Sequence, residues 1–190
     1  AGIGCSSGMA ASTLLAFTVC GAGDNIVSSS AIYGGTFNLF AVTLPKLGIE
    51  TRFFDPDAPA EEIEKLIDDK TKFIFTETIA NPAIKILDFD KIAKISKKYG
   101  VLFVVDNTLA TPILCRPFEW GANIVIHSTS KYMDGHAAAL GGMIGGKIPM
   151  PVVWALLVAA ILWFVTTKSK MGRNFYALGG NKEAAWFSGI

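Results

Sequence analysis

The chain has 190 residues, 51% of them hydrophobic and 17% charged, so it can bury a sizeable core and is neither disordered nor fibrous. Its formal net charge of +1 argues against an extended polyanion-binding surface, and we expect no nucleic-acid partner. The three cysteines, Cys5, Cys20 and Cys115, are widely spaced without a C-x-x-C pair, which predicts no disulfide framework and no metal cluster and favours a reducing, cytoplasmic compartment.

Short β-branched and aromatic runs alternate with amphipathic stretches through residues 1–147. The predicted strands are Asn25–Ser28, Glu50–Phe54, Lys72–Thr76, Val101–Asp106 and Asn123–His127. The predicted helices lie near residues 9–20, 36–47, 60–69 and 88–99. The run Val101–Val105 is apolar on both faces, as a strand between two helical layers must be. The sequence therefore predicts an α/β fold, a mostly parallel sheet with helices on both faces.

Residues 148–190 differ in kind from the rest of the chain. They carry four basic and one acidic side chain, whereas residues 1–147 carry 13 basic and 15 acidic ones. Residues 148–167 include no charge, and a basic cluster follows them. This pattern is typical of a membrane helix over residues 149–167, with a buried core helix as the alternative. We therefore expect two domains, 1–147 and 148–190, with membrane association through the second.

Three polar residues follow directly on apolar runs of the predicted sheet. They are Glu77, Asp106 and Ser128. In parallel sheets, ligands bind at the carboxyl ends of the strands, so these side chains are candidates for a site.

Lys131 follows the last predicted strand and is preceded by Ser128 and Ser130, whose hydroxyls could hydrogen-bond an anion. A lysine in a desolvated pocket loses proton affinity and becomes a nucleophile towards carbonyl groups, whereas a solvated surface lysine is the alternative. Asp106 ends the most hydrophobic strand, where a carboxylate needs a cationic partner such as a protonated pyridine nitrogen. The alternative for Asp106 is a helix cap or a turn acid.

Small residues lead into the first predicted helix. The stretch runs Ser6-Ser-Gly8-Met9-Ala-Ala, and the free N–H groups at such a helix start form an anion site. The stretch matches neither G-x-G-x-x-G nor a Walker A loop, so no nucleotide motif is present. The alternative is tight packing of small side chains.

Several short motifs occur along residues 1–147 in a fixed order. They are Ser7-Gly-Met-Ala-Ala, Ile32-Tyr-Gly-Gly-Thr36, Glu77-Thr, Asn81-Pro82, Val104-Val-Asp106-Asn-Thr108, Thr111-Pro112, Arg116-Pro117, His127-Ser-Thr-Ser-Lys131-Tyr and Gly135-His136. In these motifs the chain resembles the enzymes of cysteine and methionine metabolism that use pyridoxal 5'-phosphate. Its stretches Cys115-Arg-Pro-Phe-Glu-Trp-Gly-Ala122 and Leu140-Gly-Gly-Met are most similar to O-acetylhomoserine sulfhydrylases, with cystathionine γ-synthase and methionine γ-lyase as alternatives.

The resemblance implies a role for each matching residue. Lys131 would form the Schiff base with pyridoxal phosphate and move protons, Asp106 would pair with the pyridine nitrogen, and Tyr33 would stack on the ring. Asn81 would lie near the phenolic oxygen of the cofactor. The phosphate would be bound by backbone N–H groups and hydroxyls, those of Gly8, Met9, Ser128 and Ser130.

The resemblance also implies a reaction and a fold. The reaction is γ-replacement in trans-sulfuration and methionine biosynthesis, in which O-acetylhomoserine and sulfide or a thiol give homocysteine or methionine and acetate. The fold is the large domain of a fold type I transferase, truncated, in a family of homo-oligomers.

Two departures from the family pattern bear on activity. Ala137 stands where relatives often carry glycine, and alanine tolerates fewer backbone conformations. Relatives also have an N-terminal arm that completes the neighbour's phosphate site and a C-terminal domain that binds the substrate carboxylate. We expect neither segment in this chain, and we therefore expect it to bind the cofactor without efficient turnover.

The end of the chain resembles a different family. Residues 148–190, with Gly172-Arg-Asn-Phe-Tyr-Ala-Leu-Gly-Gly-Asn, are similar to the permease subunit of sugar-type ABC importers. The chain is thus expected to join fragments of two proteins. A membrane fragment of a transporter and an inactive fusion remnant are the alternatives to an enzyme.

Overall fold

The computed structural model describes residues 2–136 and 141–145, together with Phe164. The chain divides into two units, Ala1–Ile148 and Pro149–Ile190. The predicted apolar helix 149–167 and the basic tail lie outside the described residues, apart from Phe164, which is helical. Within the described part of the chain, no helix is long and apolar enough to cross a bilayer.

A single mixed sheet organises the described residues of the first unit. Its strands are β1 (Gly2–Cys5), β2 (Asn25–Ser29), β3 (Glu50–Phe54), β4 (Thr71–Glu77), β5 (Leu102–Asp106), β6 (Ile124–Ser128) and β7 (Gly142–Gly145). The strand order is β1-β7-β6-β5-β4-β2-β3. Strand β7 pairs antiparallel with β1 and β6, whereas β6, β5, β4, β2 and β3 pair parallel in succession. The predicted α/β fold with a mostly parallel sheet is confirmed.

Five α-helices accompany the strands in the described residues. They are α1 (Gly8–Val19), α2 (Gly34–Asn38), α3 (Ala60–Glu64), α4 (Phe89–Tyr99) and α5 (Thr111–Leu114). The Ser7 side chain caps α1 by accepting a hydrogen bond from the Ala10 N–H at 3.0 Å. Helix α4 begins after Asp88, which caps the Lys91 N–H, and ends at Gly100 in the left-handed conformation.

Alternating side chains of the strands build a core on each face of the sheet. On one face, Phe75, Val104 and Ile126 lie in a buried cluster with Leu15 of α1. On the other, the strands bury a second cluster against α3 and α4, with Ile74, Phe103, Val105, Val125, Ile63, Ile92 and Ile95. Helices therefore cover both faces, which explains why these strands are apolar along nearly their whole length.

Two predicted helices differ from the structure. The helix expected over residues 36–47 is wrong as one α-helix, because α2 is followed by a π-helical turn, Leu39–Thr43, and a 3-10 turn, Leu44–Leu47. Pro45 provides no N–H there, and Gly48 then ends the segment at a φ of 77°. The helix expected over residues 60–69 ends at Glu64.

Candidate functional site

The site lies at the carboxyl ends of β4, β5 and β6. Glu77 and Asp106 are register partners on neighbouring strands, so their side chains emerge on the same face, the one that α1 covers. A cavity of about 600 Å³ opens there. All eight residues predicted from the sequence line this cavity, namely Gly8, Met9, Tyr33, Asn81, Asp106, Ser128, Ser130 and Lys131.

One side of the cavity is built to receive an anion. The N–H groups of Gly8 and Met9 lie in the first turn of α1, where a helix offers them no internal acceptor. A Cβ atom on Gly8 would stand 2.7 Å from the Ser128 Cβ, so only glycine allows the helix to approach β6 this closely. The Ser128 and Ser130 hydroxyl oxygens are 3.1 Å apart. Backbone N–H groups and two hydroxyls thus converge on one small volume.

Asp106 is held in place by a threonine that the sequence reasoning did not single out. Its Oδ1 accepts hydrogen bonds from the Thr108 N–H at 2.9 Å and the Thr108 hydroxyl at 2.5 Å. The same hydroxyl oxygen accepts the Ser128 N–H at 2.8 Å. Thr108 therefore connects the carboxylate to the anion-binding side of the cavity. A hydroxyl residue two positions after a strand-ending aspartate was the available signal.

The two carboxyl groups at the strand ends form no ion pair with a described residue. Within residues 2–136 and 141–145, neither Glu77 nor Asp106 forms an ion pair. Burial raises the pKa of Asp106, against the opposing effect of the Thr108 hydrogen bonds. Burial also raises the pKa of Glu77 to about 7; hydrogen bonds from Tyr33 and Asn81 oppose this shift, and the charge of Asp106 adds to it. Such a pair favours a cationic ligand group next to it.

Tyr33 stands at the mouth of the cavity with half of its surface exposed. It immediately precedes α2, and its ring lies so close to Gly35 that a Cβ there would stand 2.6 Å from the Tyr33 Cε1. A flat aromatic face bordering a cavity can stack on a planar ligand. Glycine at position 35 is what lets the ring lie against the start of the helix.

Lys131 follows β6 in a helical turn, Thr129–Met133, that is interrupted at this residue, whose φ and ψ are −95° and −124°. Its side chain lines the cavity and forms no ion pair with any described residue. An amine that borders a cavity without a carboxylate partner is available to a ligand carbonyl.

Comparisons with known proteins agree with this arrangement. The family model described as "Cys/Met metabolism PLP-dependent enzyme" matches residues 1–152. The homocysteine/cysteine synthase of Kluyveromyces lactis is 47% identical over 152 residues, covering 78% of this chain and 34% of the relative. The cystathionine gamma-lyase of Bacillus subtilis is 44% identical over 144 residues, covering 76% of this chain and 38% of the relative.

A solved structure gives the same result. A protein of Campylobacter jejuni described as an O-acetylhomoserine (thiol)-lyase superposes with a TM-score of 0.73 at 45% identity, covering 75% of this chain and 35% of its own. That structure carries N'-pyridoxyl-lysine-5'-monophosphate. The chain thus spans about a third of the length of the curated relatives it matches. The permease resemblance of residues 148–190 is not supported by these comparisons.

Proposed function

Because the chain belongs to the Cys/Met metabolism family of pyridoxal-phosphate-dependent enzymes, we propose that it contributes the cofactor site of an enzyme of γ-replacement. In the proposed reaction the acetate of O-acetylhomoserine is replaced by sulfide or a thiol. Residues 1–147 form the cofactor-binding domain in this proposal, and residues 148–190 form a separate one. The reaction is proposed for the whole protein, since the chain spans about a third of its relatives.

The observation that supports the proposal is the chemistry of the cavity lining. Pyridoxal phosphate combines a phosphate, a pyridine nitrogen that can be protonated, and an aldehyde. The cavity offers an anion site at the start of α1, the uncompensated carboxylate of Asp106, and the amine of Lys131. The close approach of Gly8 to Ser128 forms a cradle that any larger side chain would fill. The residues therefore fit the group.

Each side chain would then perform a defined task. Gly8 and Met9 would donate backbone N–H groups to the phosphate, and the hydroxyls of Ser128 and Ser130 would complete its binding. Asp106 would bind the protonated ring nitrogen, which a carboxylate in a desolvated position does strongly. Tyr33 would cover one face of the ring and Asn81 would lie near its phenolic oxygen, since both residues line the cavity.

Bound pyridoxal phosphate supplies an electron sink for the carbon atoms of an amino-acid substrate. Lys131 would hold the cofactor between turnovers and, when released by the substrate amine, would carry protons between the α and γ positions. Asp106 would keep the ring nitrogen protonated. The Lys131 amine borders the open cavity and forms no ion pair with a described residue.

A γ-lyase reaction is the second candidate, favoured by the 44% identity to the Bacillus subtilis cystathionine gamma-lyase. The cavity lining described above serves both reactions, because cofactor binding and proton transfer are common to them. Cystathionine γ-synthase and methionine γ-lyase activities belong to the same proposal. The products distinguish these reactions, since replacement retains the substrate nitrogen and elimination releases it as ammonia.

The proposal also covers the substrate class, the cellular location and the assembly of the enzyme. Its substrate is a small amino acid, its location is the cytoplasm, and it assembles as a homo-oligomer. Membrane association through residues 149–167 stays a prediction from the sequence.

The decisive experiment labels the site. The chain is incubated with pyridoxal phosphate, reduced with borohydride and mapped by peptide mass spectrometry, with Lys131→Ala and Lys98→Ala as variants. We expect the label at Lys131, its loss in Lys131→Ala, and its retention in Lys98→Ala, where the substituted lysine is exposed and paired with Glu64. Label spread over surface lysines without preference for Lys131 would overturn the proposal. Sulfide-dependent consumption of O-acetylhomoserine without ammonia release would support replacement over elimination.

A further inference from the structure

Glu77 connects two segments that border the cavity. Its Oε1 accepts a hydrogen bond from the Tyr33 N–H at 2.8 Å, and its Oε2 accepts one from the Asn81 N–H at 3.3 Å. Tyr33 and Asn81 are 48 positions apart in sequence and belong to different loops. One carboxylate therefore fixes the backbone of both.

The position of Glu77 makes this connection rigid. The residue ends β4 in register with Asp106 and is only 9% exposed. Tyr33 is the residue immediately before α2, and its N–H donates to the Glu77 carboxylate, so this bond fixes the backbone at the start of the helix. Neither partner is a side chain that could rotate away, because both are backbone donors.

We propose that Glu77 is a positioning residue, which as a carboxylate holds Tyr33 and Asn81 in place for a ring bound beside Asp106. The inference rests on the proposed function. A carboxylate can accept both N–H groups at once, whereas a protonated carboxyl or an amide offers one full acceptor oxygen. The deprotonated form therefore holds both segments, and its negative charge adds to the attraction of Asp106 for a cationic ring.

The charge of Glu77 makes this role depend on pH. Its pKa is raised to about 7, mainly by burial. The other titratable groups around it belong to the two cavities that it borders, namely Asp106, Tyr33, Lys131, Tyr132 and His136 in the larger, and Asp57, Lys85, Asp88 and Lys91 in the smaller. Asp106 is the one whose charge raises the pKa of Glu77. A cation bound at Asp106 would offset this repulsion and favour the Glu77 carboxylate.

The test measures equilibrium binding of pyridoxamine 5'-phosphate, which has no aldehyde and so binds without a bond to Lys131. Affinities of the wild-type chain, Glu77→Gln and Glu77→Asp are compared at pH 6 and pH 8.5. Glu61→Gln serves as the control, because it removes the same charge at an exposed position of α3. Circular dichroism spectra establish that each variant is folded.

We expect Glu77→Gln to bind roughly tenfold more weakly than wild type at pH 8.5, as loss of a charged hydrogen bond predicts, and nearly equally at pH 6. Taking the ratio at each pH removes the titration of the ligand itself. Glu77→Asp keeps the charge but is one methylene shorter, so it should recover less than the full affinity. Equal affinities of wild type and Glu77→Gln at both pH values would overturn the inference and leave the proposed function standing. Failure of the wild-type chain to bind would overturn both.

Discussion

The carboxylates at the two ends of the sheet differ in whether they have a cationic partner. At the amino ends of β2 and β4, Asp68 accepts hydrogen bonds from the Asn25 side chain at 2.7 Å and the Lys70 N–H at 2.9 Å, and pairs with Arg52 at 2.7 Å. At the carboxyl ends, Glu77 and Asp106 have no cationic partner in the described residues. Among the described residues, the carboxylate at one end of the sheet has a counter-ion and the two at the other end have none.

The pKa values follow this division. Hydrogen bonds from Asn25 and Arg52 hold the pKa of Asp68 well below its usual range, whereas burial raises the pKa values of Glu77 and Asp106. An ion pair compensates the charge of a carboxylate, whereas a buried carboxylate without a counter-ion costs stability even when it is hydrogen-bonded, unless a ligand compensates its charge. The contrast therefore distinguishes an ion-paired carboxylate from the two carboxyl groups that border the proposed cofactor site.

The largest expected effect comes from removing the charge of Asp106. Asp106→Asn keeps an oxygen that can accept the Thr108 hydrogen bonds but loses the partner for a cationic ring. Pyridoxamine phosphate affinity should fall roughly 10- to 100-fold, the range expected for charge-assisted bonds. Asp68→Asn at the opposite end of the sheet should leave the affinity unchanged. Fluorescence titration of the two variants checks this, and equal losses would show that both clusters act only through stability.

The glycine at the start of α1 offers a steric test of the anion site. In Gly8→Ala the new Cβ would stand 2.7 Å from the Ser128 Cβ, so the helix must move away from β6. Such overpacking should lower the free energy of unfolding by about 1–3 kcal/mol and weaken binding of the phosphate-bearing ligand.

Gly34→Ala is the matched control, because a Cβ at Gly34 meets no atom within 4 Å and the position is helical. There, alanine should be neutral or slightly stabilising. Urea denaturation of both variants gives the comparison, and a destabilisation of the same size in each would contradict the steric explanation.

The central strands were predictable because they are buried on both faces and so read as continuous apolar runs. Strands β1 and β7 were missed: Gly2-Ile-Gly-Cys5 and Gly142-Met-Ile-Gly145 are short and glycine-rich, with little strand preference of their own. Their pairing with each other and with β6 is a long-range effect that no local pattern carries.

The site was predictable to a similar degree. Motif order and the position after each strand selected the residues that line the cavity. The tasks of Glu77 and Thr108 were not predicted, because they consist of bonds to partners far along the chain, such as Glu77 to Tyr33 and Thr108 to Ser128. Those contacts exist only once the sheet has formed.

A smaller effect is expected from the charge of Glu77 on stability. A pKa raised in the folded state means that Glu77 contributes stability at low pH, and that this contribution is lost as pH rises from its ordinary value towards about 7. Burial lowers the pKa of His127 to about 4. The contribution of His127 to the free energy of unfolding is therefore lost as pH falls from its ordinary pKa towards about 4, opposite to that of Glu77. The difference between wild type and Glu77→Gln isolates the glutamate.

Relative to wild type, Glu77→Gln should gain about 2 kcal/mol in the free energy of unfolding between pH 5 and pH 8.5. Urea denaturation across this range measures the gain, with Glu61→Gln as the variant expected to show none. A difference independent of pH would mean that Glu77 keeps the same charge throughout. If Glu77→Gln is more stable than wild type but binds the ligand more weakly, the Glu77 carboxylate serves ligand binding at a cost in stability.

The smallest effect is expected at the amino-end cluster. Asp68→Asn removes the ion pair with Arg52, which is partly exposed, so the free energy of unfolding at pH 7 should fall by only about 1 kcal/mol. Because the pKa of Asp68 is lowered in the folded state, its contribution is present above its ordinary value and is lost as pH falls through the folded one. The wild-type advantage over Asp68→Asn should therefore shrink as the pH is lowered below about 4, and 1 M salt should reduce it at pH 7. Urea denaturation at these pH and salt values measures both. An advantage that persists unchanged at low pH and in high salt would contradict the ion pair with Arg52 as its source.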